Sequence, residues 1–218
     1  MVQTVNNKED SMHKSIIKFT FAVLLIAASS NVVMAQENED GRRYGNFCSS
    51  CHGTAGAAVS DAIPSIGGQH KDFLITSMLE MKPQVVDGKE QAPKRYSTLM
   101  QIFFKGYSED EIKAMADWYS SRPWVPTNHP LNQDLVNKGK ASANLETCTS
   151  CHGTNGNNIE DTGIPRIGGQ TPTYLYHALL EYKNNKRNAD GRALEMDVVK
   201  EISDEELRAL AEYFSSLR

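Results

Sequence analysis

Three things are scarce in this chain. Four cysteines in 218 residues are too few for a disulfide-dense scaffold. A basic surplus is missing: 23 Lys and Arg stand against 27 Asp and Glu, a net charge of −4. That balance excludes the basic surface on which nucleic-acid binding depends and suits docking to a partner with a basic patch. A long apolar run is also lacking, since the stretch Phe19 to Ala28 is about ten residues where a bilayer span needs roughly 20. Lys14 and Lys18 precede that stretch and Val33-Met34-Ala35 follows it, the pattern of a secretory signal peptide over 1–35 cut near Ala35. An uncleaved membrane anchor is the alternative. Residues 1–11 are polar, with Glu9 and Asp10, so the working start is expected at Met12. Export to the periplasm is the expectation that follows.

The four cysteines fall in two matched motifs, Cys48-Ser49-Ser50-Cys51-His52 and Cys148-Thr149-Ser150-Cys151-His152. In C-x-x-C-H, two thiols one helical turn apart can each form a thioether to a haem vinyl group, and the adjacent His reaches the iron. Two disulfides or a zinc site would use the same cysteines, but neither needs a His directly after the second Cys in both copies. Two covalently bound c-type haems are therefore expected, on Cys48, Cys51, Cys148 and Cys151, with His52 and His152 as iron ligands.

The repeat runs well beyond the motif. Ile63-Pro64-Ser65-Ile66-Gly67-Gly68-Gln69 matches Ile164-Pro165-Arg166-Ile167-Gly168-Gly169-Gln170, and Leu79-Glu80-Met81-Lys82 matches Leu180-Glu181-Tyr182-Lys183. A period of about 100 residues means duplicated domains rather than a short-repeat solenoid. The expected organisation is a first domain over 36–122, a linker over 123–130 stiffened by Pro123, Pro126 and Pro130, and a second domain over 131–218. Ser108-Glu-Asp-Glu111 and Ser203-Asp-Glu-Glu206 read as capping boxes. Apolar stripes follow them, Ile112, Met115, Ala116 and Tyr119 in one copy and Leu207, Leu210, Ala211 and Phe214 in the other. Their partners are expected to be the helices entering each motif, crossing closely at Gly41 and Gly139. A third helix is expected over 71–81 and over 173–182, the latter with Pro172 in its first turn.

Met196 is the sole methionine after Cys151, seven residues before Ser203, and Met100 lies eight before Ser108. These two are the expected ligands on the opposite face of each iron, a pairing that raises the reduction potential. Met78, Met81 and Met115 have no counterpart methionine and read as core. His70 and His177 are rival ligands that do not align with each other. The carbonyl of Ile63 or Pro64, and of Ile164 or Pro165, is placed to accept the imidazole N–H. Gly67-Gly68 and Gly168-Gly169 are either close approaches to a haem edge or plain turns. Arg95, Arg187, Gln69 and Gln170 either meet haem propionates or lie in solvent.

On these motifs the chain resembles the dihaem class I cytochromes c, of the cytochrome c4 type and of the cytochrome subunit of flavocytochrome c sulfide dehydrogenases. The resemblance implies an all-α fold of two tandem haem domains and single-electron transfer without enzymatic activity of the chain's own. The implied partners are a terminal oxidase or reductase, or a flavoprotein subunit, with membrane association only through a partner. The alternatives are a subunit of a flavoprotein (sulfide) dehydrogenase and, more remotely, a dihaem peroxidase, which would need a haem with an open ligand position.

Overall fold

A computed structural model describes residues 39–187 and 193–218, with side chains over 39–187 and 197–218. The expected signal peptide, 1–35, lies outside the described residues. In the first half, residues 41–45 are helical (α1) and lead through a 3-10 turn, Asn46–Cys48, into α2 (Ser49–His52). Then come α3 (Lys71–Met81), a hairpin of β1 (Gln84–Val86) and β2 (Lys89–Gln91), α4 (Met100–Lys105) and α5 (Glu109–Ser120). The second half repeats the plan as α6 (Gln133–Lys140), α7 (Leu145–His152), α8 (Pro172–Lys183), α9 (Ala193–Lys200) and α10 (Asp204–Ser216). The third helices fall where the sequence placed them, α8 opening on Pro172.

Helix packing follows from the glycines and stripes. α1 crosses α5 at Gly41, where a Cβ would run into the Ala114 carbonyl oxygen and lie 2.8 Å from Trp118 Cβ. α6 crosses α10 in the same way at Gly139, against the Ala209 carbonyl and Tyr213 Cβ. Both closures are sealed by apolar cores. Leu74, Met78, Met81, Phe104, Ile112, Met115, Ala116, Trp118 and Tyr119 fill the first; Leu175, Tyr182, Val199, Ile202, Leu207, Leu210, Ala211 and Phe214 fill the second. Each core sits between the last helix and the third one, so the apolar stripes pack mainly on the third helices rather than on the entering helices expected from the sequence, which meet the last helices at Gly41 and Gly139.

The two helix starts are not equal. At α5 the Ser108 hydroxyl accepts from Glu111 N–H at 3.3 Å and the Glu111 carboxylate accepts from Ser108 N–H at 2.8 Å, a complete capping box. At α10 the expected box is only half made. Ser203 Oγ accepts from Glu206 N–H at 3.2 Å, but the Glu206 carboxylate accepts instead from Ser142 Oγ at 2.6 Å and Asn144 Nδ2 at 3.0 Å. Those two donors lie in the turn between α6 and α7, and they hold the Glu206 carboxyl below the usual carboxylate range. The reason is geometric: a tertiary donor pair competes successfully for the oxygens that a local cap would use.

Asp87-Gly88 forms the hairpin turn with φ of 51° and 72°, the two left-handed residues that a tight two-residue connection requires. The hairpin has no described counterpart in the second half. The short helix α4 was likewise not anticipated.

Candidate haem-attachment sites

In each half the motif cysteines lie on one short helical turn. Cys48 precedes α2 and Cys51 lies on it; Cys148 and Cys151 both lie on α7. All four thiols are unbridged. Burial raises the thiol pKa of Cys48 and pushes that of Cys148 up to about 11. Among the described residues no group of three or more His, Cys, Asp and Glu side chains is placed to hold a metal ion, so a zinc site finds no ligand set there.

The histidines are oriented by the backbone. His52 Nδ1 donates to the Pro64 carbonyl at 2.8 Å, and His152 Nδ1 donates to the Pro165 carbonyl at 3.1 Å. A carbonyl oxygen only accepts, so in the neutral ring the proton is held on Nδ1 and the Nε2 lone pair is left for a metal. Burial lowers the His52 pKa, partly offset by the Pro64 bond, which keeps the ring in that neutral form. Of the two carbonyls the sequence left open in each half, the proline's is the one used.

The surroundings fit a haem. Cys48 and Met100 pack against the same first core, with Tyr44, Ala55, Ile66 and Tyr107. Phe47, Leu99 and Ile102, beside the motif and beside Met100, are 62%, 60% and 67% exposed, apolar surface that a flat apolar ligand would cover. Cys148 packs on the second core with Leu145 and Ile167. Met196 lies on α9, and its side chain is outside the described residues. Met78, Met81 and Met115 are buried core, as read from the sequence.

The rival histidines are engaged or exposed. His177 is exposed. Both ring nitrogens of His70 are taken up across the molecule, Nδ1 by the Ile164 carbonyl at 2.7 Å and Nε2 by Asn157 Oδ1 at 2.9 Å. Its counterpart Thr171 donates from Oγ1 to the matching Ile63 carbonyl at 3.0 Å. The unlike pair therefore does one job: each donates to the same position of the other half.

That job belongs to a reciprocal interface within the compact unit 41–218. Gln69 Nε2 donates to the Arg166 carbonyl at 2.9 Å while its Oε1 accepts from Arg166 N–H at 2.7 Å. Gln170 does the same to Ser65, at 2.8 Å in both directions. Phe73 N–H donates to the Thr162 carbonyl and Tyr174 N–H to the Asp61 carbonyl, each at 3.0 Å. Exchanging the halves maps every one of these bonds onto its mate, the signature of an approximate two-fold.

The proposed solvated or propionate-binding roles of Gln69 and Gln170 are therefore corrected; both are buried and paired to backbone. Arg95 and Arg187 are not solvated either. They form an antiparallel bridge with each other, and their guanidiniums donate to Tyr174 Oη at 3.3 and 3.4 Å. Burial alone would raise the Tyr174 pKa, but the Arg187 and Arg95 charges bring it down to about 8.

Gly68 and Gly169 serve backbone crossings: Gly68 lies against Trp124, and Gly169 against Pro126 and the Leu217 carbonyl. The connecting segment is fastened to both halves, with Thr127 N–H on the Gly169 carbonyl at 2.7 Å and His129 Nε2 on the Val59 carbonyl at 2.8 Å. Trp124 is less a plug than a stacking face, with the Arg166 guanidinium 4.8 Å from its ring centre.

Two tandem helical domains, each with an unbridged C-x-x-C-H turn and a carbonyl-held imidazole, define a dihaem c-type electron carrier. The chain belongs to the Cytochrome c family, which matches residues 39–122 and again 136–218. It is 25% identical over 189 residues to cytochrome c4 of Stutzerimonas stutzeri, covering 84% of this chain and 90% of that one. It is 38% identical over 73 residues to the cytochrome subunit of sulfide dehydrogenase of Chlorobaculum tepidum, 33% of this chain and 60% of that one. The crystal structure of reduced cytochrome c4 from Pseudomonas stutzeri has the same fold, with a TM-score of 0.70 at 24% identity over 83% of this chain and 98% of the other. Cys48, Cys51, Cys148 and Cys151 account for two covalent haems.

Proposed function

We propose that this chain is an exported carrier that passes single electrons between redox partners, with one iron held by His52 and Met100 and the other by His152 and Met196. A bound haem supplies a one-electron iron couple; the chain supplies its attachment, its ligands and its shielding from water. The observation that carries the ligand reading is the repeated Nδ1–carbonyl bond, which aims an Nε2 lone pair from each motif. The thioether of Met100 is supported by its packing on the same first core as Cys48; Met196 is supported by its alignment before Ser203. A carrier whose two irons each have two protein ligands leaves no open position for substrate, which disfavours the peroxidase reading.

In this proposal residues 1–35 are a cleaved signal, 36–122 and 131–218 the haem domains and 123–130 the link between them. Among the described residues no helix is long and apolar enough to cross a membrane. The likeness to cytochrome c4 over 84% of the chain supports a free carrier, whereas the likeness to the sulfide dehydrogenase subunit covers a third of it. The net charge of −4 favours a partner with a basic docking face. In the holoprotein, the near-infrared charge-transfer band of His/Met haem is expected to fall by half in Met100→Ala and by half in Met196→Ala. An unchanged band in either variant removes that ligand. Co-purification with a flavin-bearing chain from the native host would favour the dehydrogenase-subunit reading over the free carrier.

A further inference from the structure

The bonds that orient the two histidines do not end within their own halves. The Pro64 carbonyl that accepts from His52 Nδ1 shares a peptide unit with Ser65 N–H, and that N–H donates to Gln170 Oε1 at 2.8 Å. In the other direction, the Pro165 carbonyl facing His152 shares its peptide with Arg166 N–H, which donates to Gln69 Oε1 at 2.7 Å. Each chain therefore reads imidazole N–H, peptide carbonyl, peptide N–H, glutamine carbonyl, and it crosses from one half to the other. The glutamines are firmly set. Gln69 is 3% and Gln170 2% exposed, and each Oε1 also accepts from the next residue's N–H, His70 or Thr171, at 2.9 Å.

Resting on the reading of His52 and His152 as iron ligands, we propose that Gln170 is a positioning residue for His52 and Gln69 for His152, each acting across the interface on the ligand of the other half. The physical cause is polarisation along a hydrogen-bond chain. An acceptor on the peptide N–H makes the same peptide's carbonyl oxygen more negative, and in a buried setting that effect is not screened by water. A more negative oxygen pulls harder on the Nδ1 proton, which makes the imidazole a stronger electron donor. A stronger donor stabilises the oxidised iron and lowers the reduction potential. Backbone satisfaction alone would account for buried glutamines, but it gives no reason for a residue of one half to govern the haem of the other.

The test uses the holoprotein in a Cys51→Ala background, where the first haem keeps one thioether and one vinyl group, so its visible band separates from the second's. Gln170→Leu is expected to raise the potential of the first haem, lowering its oxidised-to-reduced ratio at fixed ambient potential by about tenfold, which is 59 mV for one electron, while the second haem moves far less. Gln69→Leu is expected to raise the second instead. Gln170→Glu, whose carboxylate is a stronger acceptor for Ser65 N–H, is expected to shift the first haem in the opposite direction. That sign reversal keeps the test open if leucine packs too poorly for the protein to accumulate. A shift in the mutated half's own haem, equal shifts in both, or no shift in either would overturn the proposal. A low-spin spectrum of the first haem that survives His52→Ala would instead overturn the ligand reading beneath it.

Discussion

The first half of the molecule is more decorated than the second, yet the two share their helix crossings, the carbonyls that hold their histidines and their glutamine pairing. The hairpin Gln84–Gln91 is inserted between the third helix and Met100 in the first half, and Phe47, Leu99 and Ile102 are shown to solvent beside the motif. Thr147 stands at the place of Phe47 in the second half. By contrast the glycine crossings, the proline carbonyl on each imidazole and the glutamine pairing recur bond for bond. The hairpin lies on exposed surface that neither the core nor the interface uses, where change leaves no buried group unpaired.

The firmest similarity can be broken at the helix crossings. Gly41→Val and Gly139→Val each force side-chain carbon into a backbone carbonyl and are expected to cost about 1–3 kcal/mol or more by denaturant unfolding. Closely similar losses would show that the two crossings are equivalent; a large difference would show that one half dominates stability.

A smaller but more discriminating effect separates the helix starts. Glu206→Gln weakens the bonds that the side chain accepts from Ser142 and Asn144 of the α6–α7 turn, whereas Glu111→Gln touches only a local cap, so the first is expected to lower the melting temperature more. The pH dependence has a definite sign. The Glu206 pKa is depressed in the fold, so its contribution is complete above the ordinary carboxylate value of 4.5 and is lost as pH falls through the lowered value. Stability curves of wild type and Glu206→Gln should therefore converge in acid and separate toward neutrality.

Least consequential is the hairpin. Its strands are exposed along their length, and the Glu90–Lys105 ion pair that ties it to α4 is exposed on both sides, so it is worth little. Replacing 84–91 by a short turn is expected to change stability by no more than about 0.5 kcal/mol and to leave both haem spectra intact. A loss of the first haem's spectrum alone would show that the insertion supports Met100.

Much of the molecule could be read before folding because its signals are local. C-x-x-C-H carries its chemistry within five residues, Ser108 and Ser203 announce their helices within one turn, and the apolar stripes repeat at 3.6-residue spacing. Gly41 and Gly139 were legible as crossings because each lies on the helix entering its motif, where a missing side chain lets two helices approach. The Asp87-Gly88 turn was also written locally, though no alternating strand pattern drew attention to it.

Other features have partners about 100 residues away and no local trace. Gln69, Gln170, Arg95 and Arg187 are polar residues that composition assigns to solvent, yet the approach of the second half buries them and supplies their bonds. His70 and Thr171 share no chemistry beyond one donor hydrogen, so only the shape of the interface reveals them as equivalents. Glu206 follows the local capping rule in sequence and departs from it in space, because Ser142 and Asn144 compete for its oxygens. Short-range geometry is encoded residue by residue, which is why the haem motifs, helix starts and duplication were plain from the chain alone. The joining of the halves depends on which buried donors and acceptors meet across a surface, and that meeting exists only once both halves are folded.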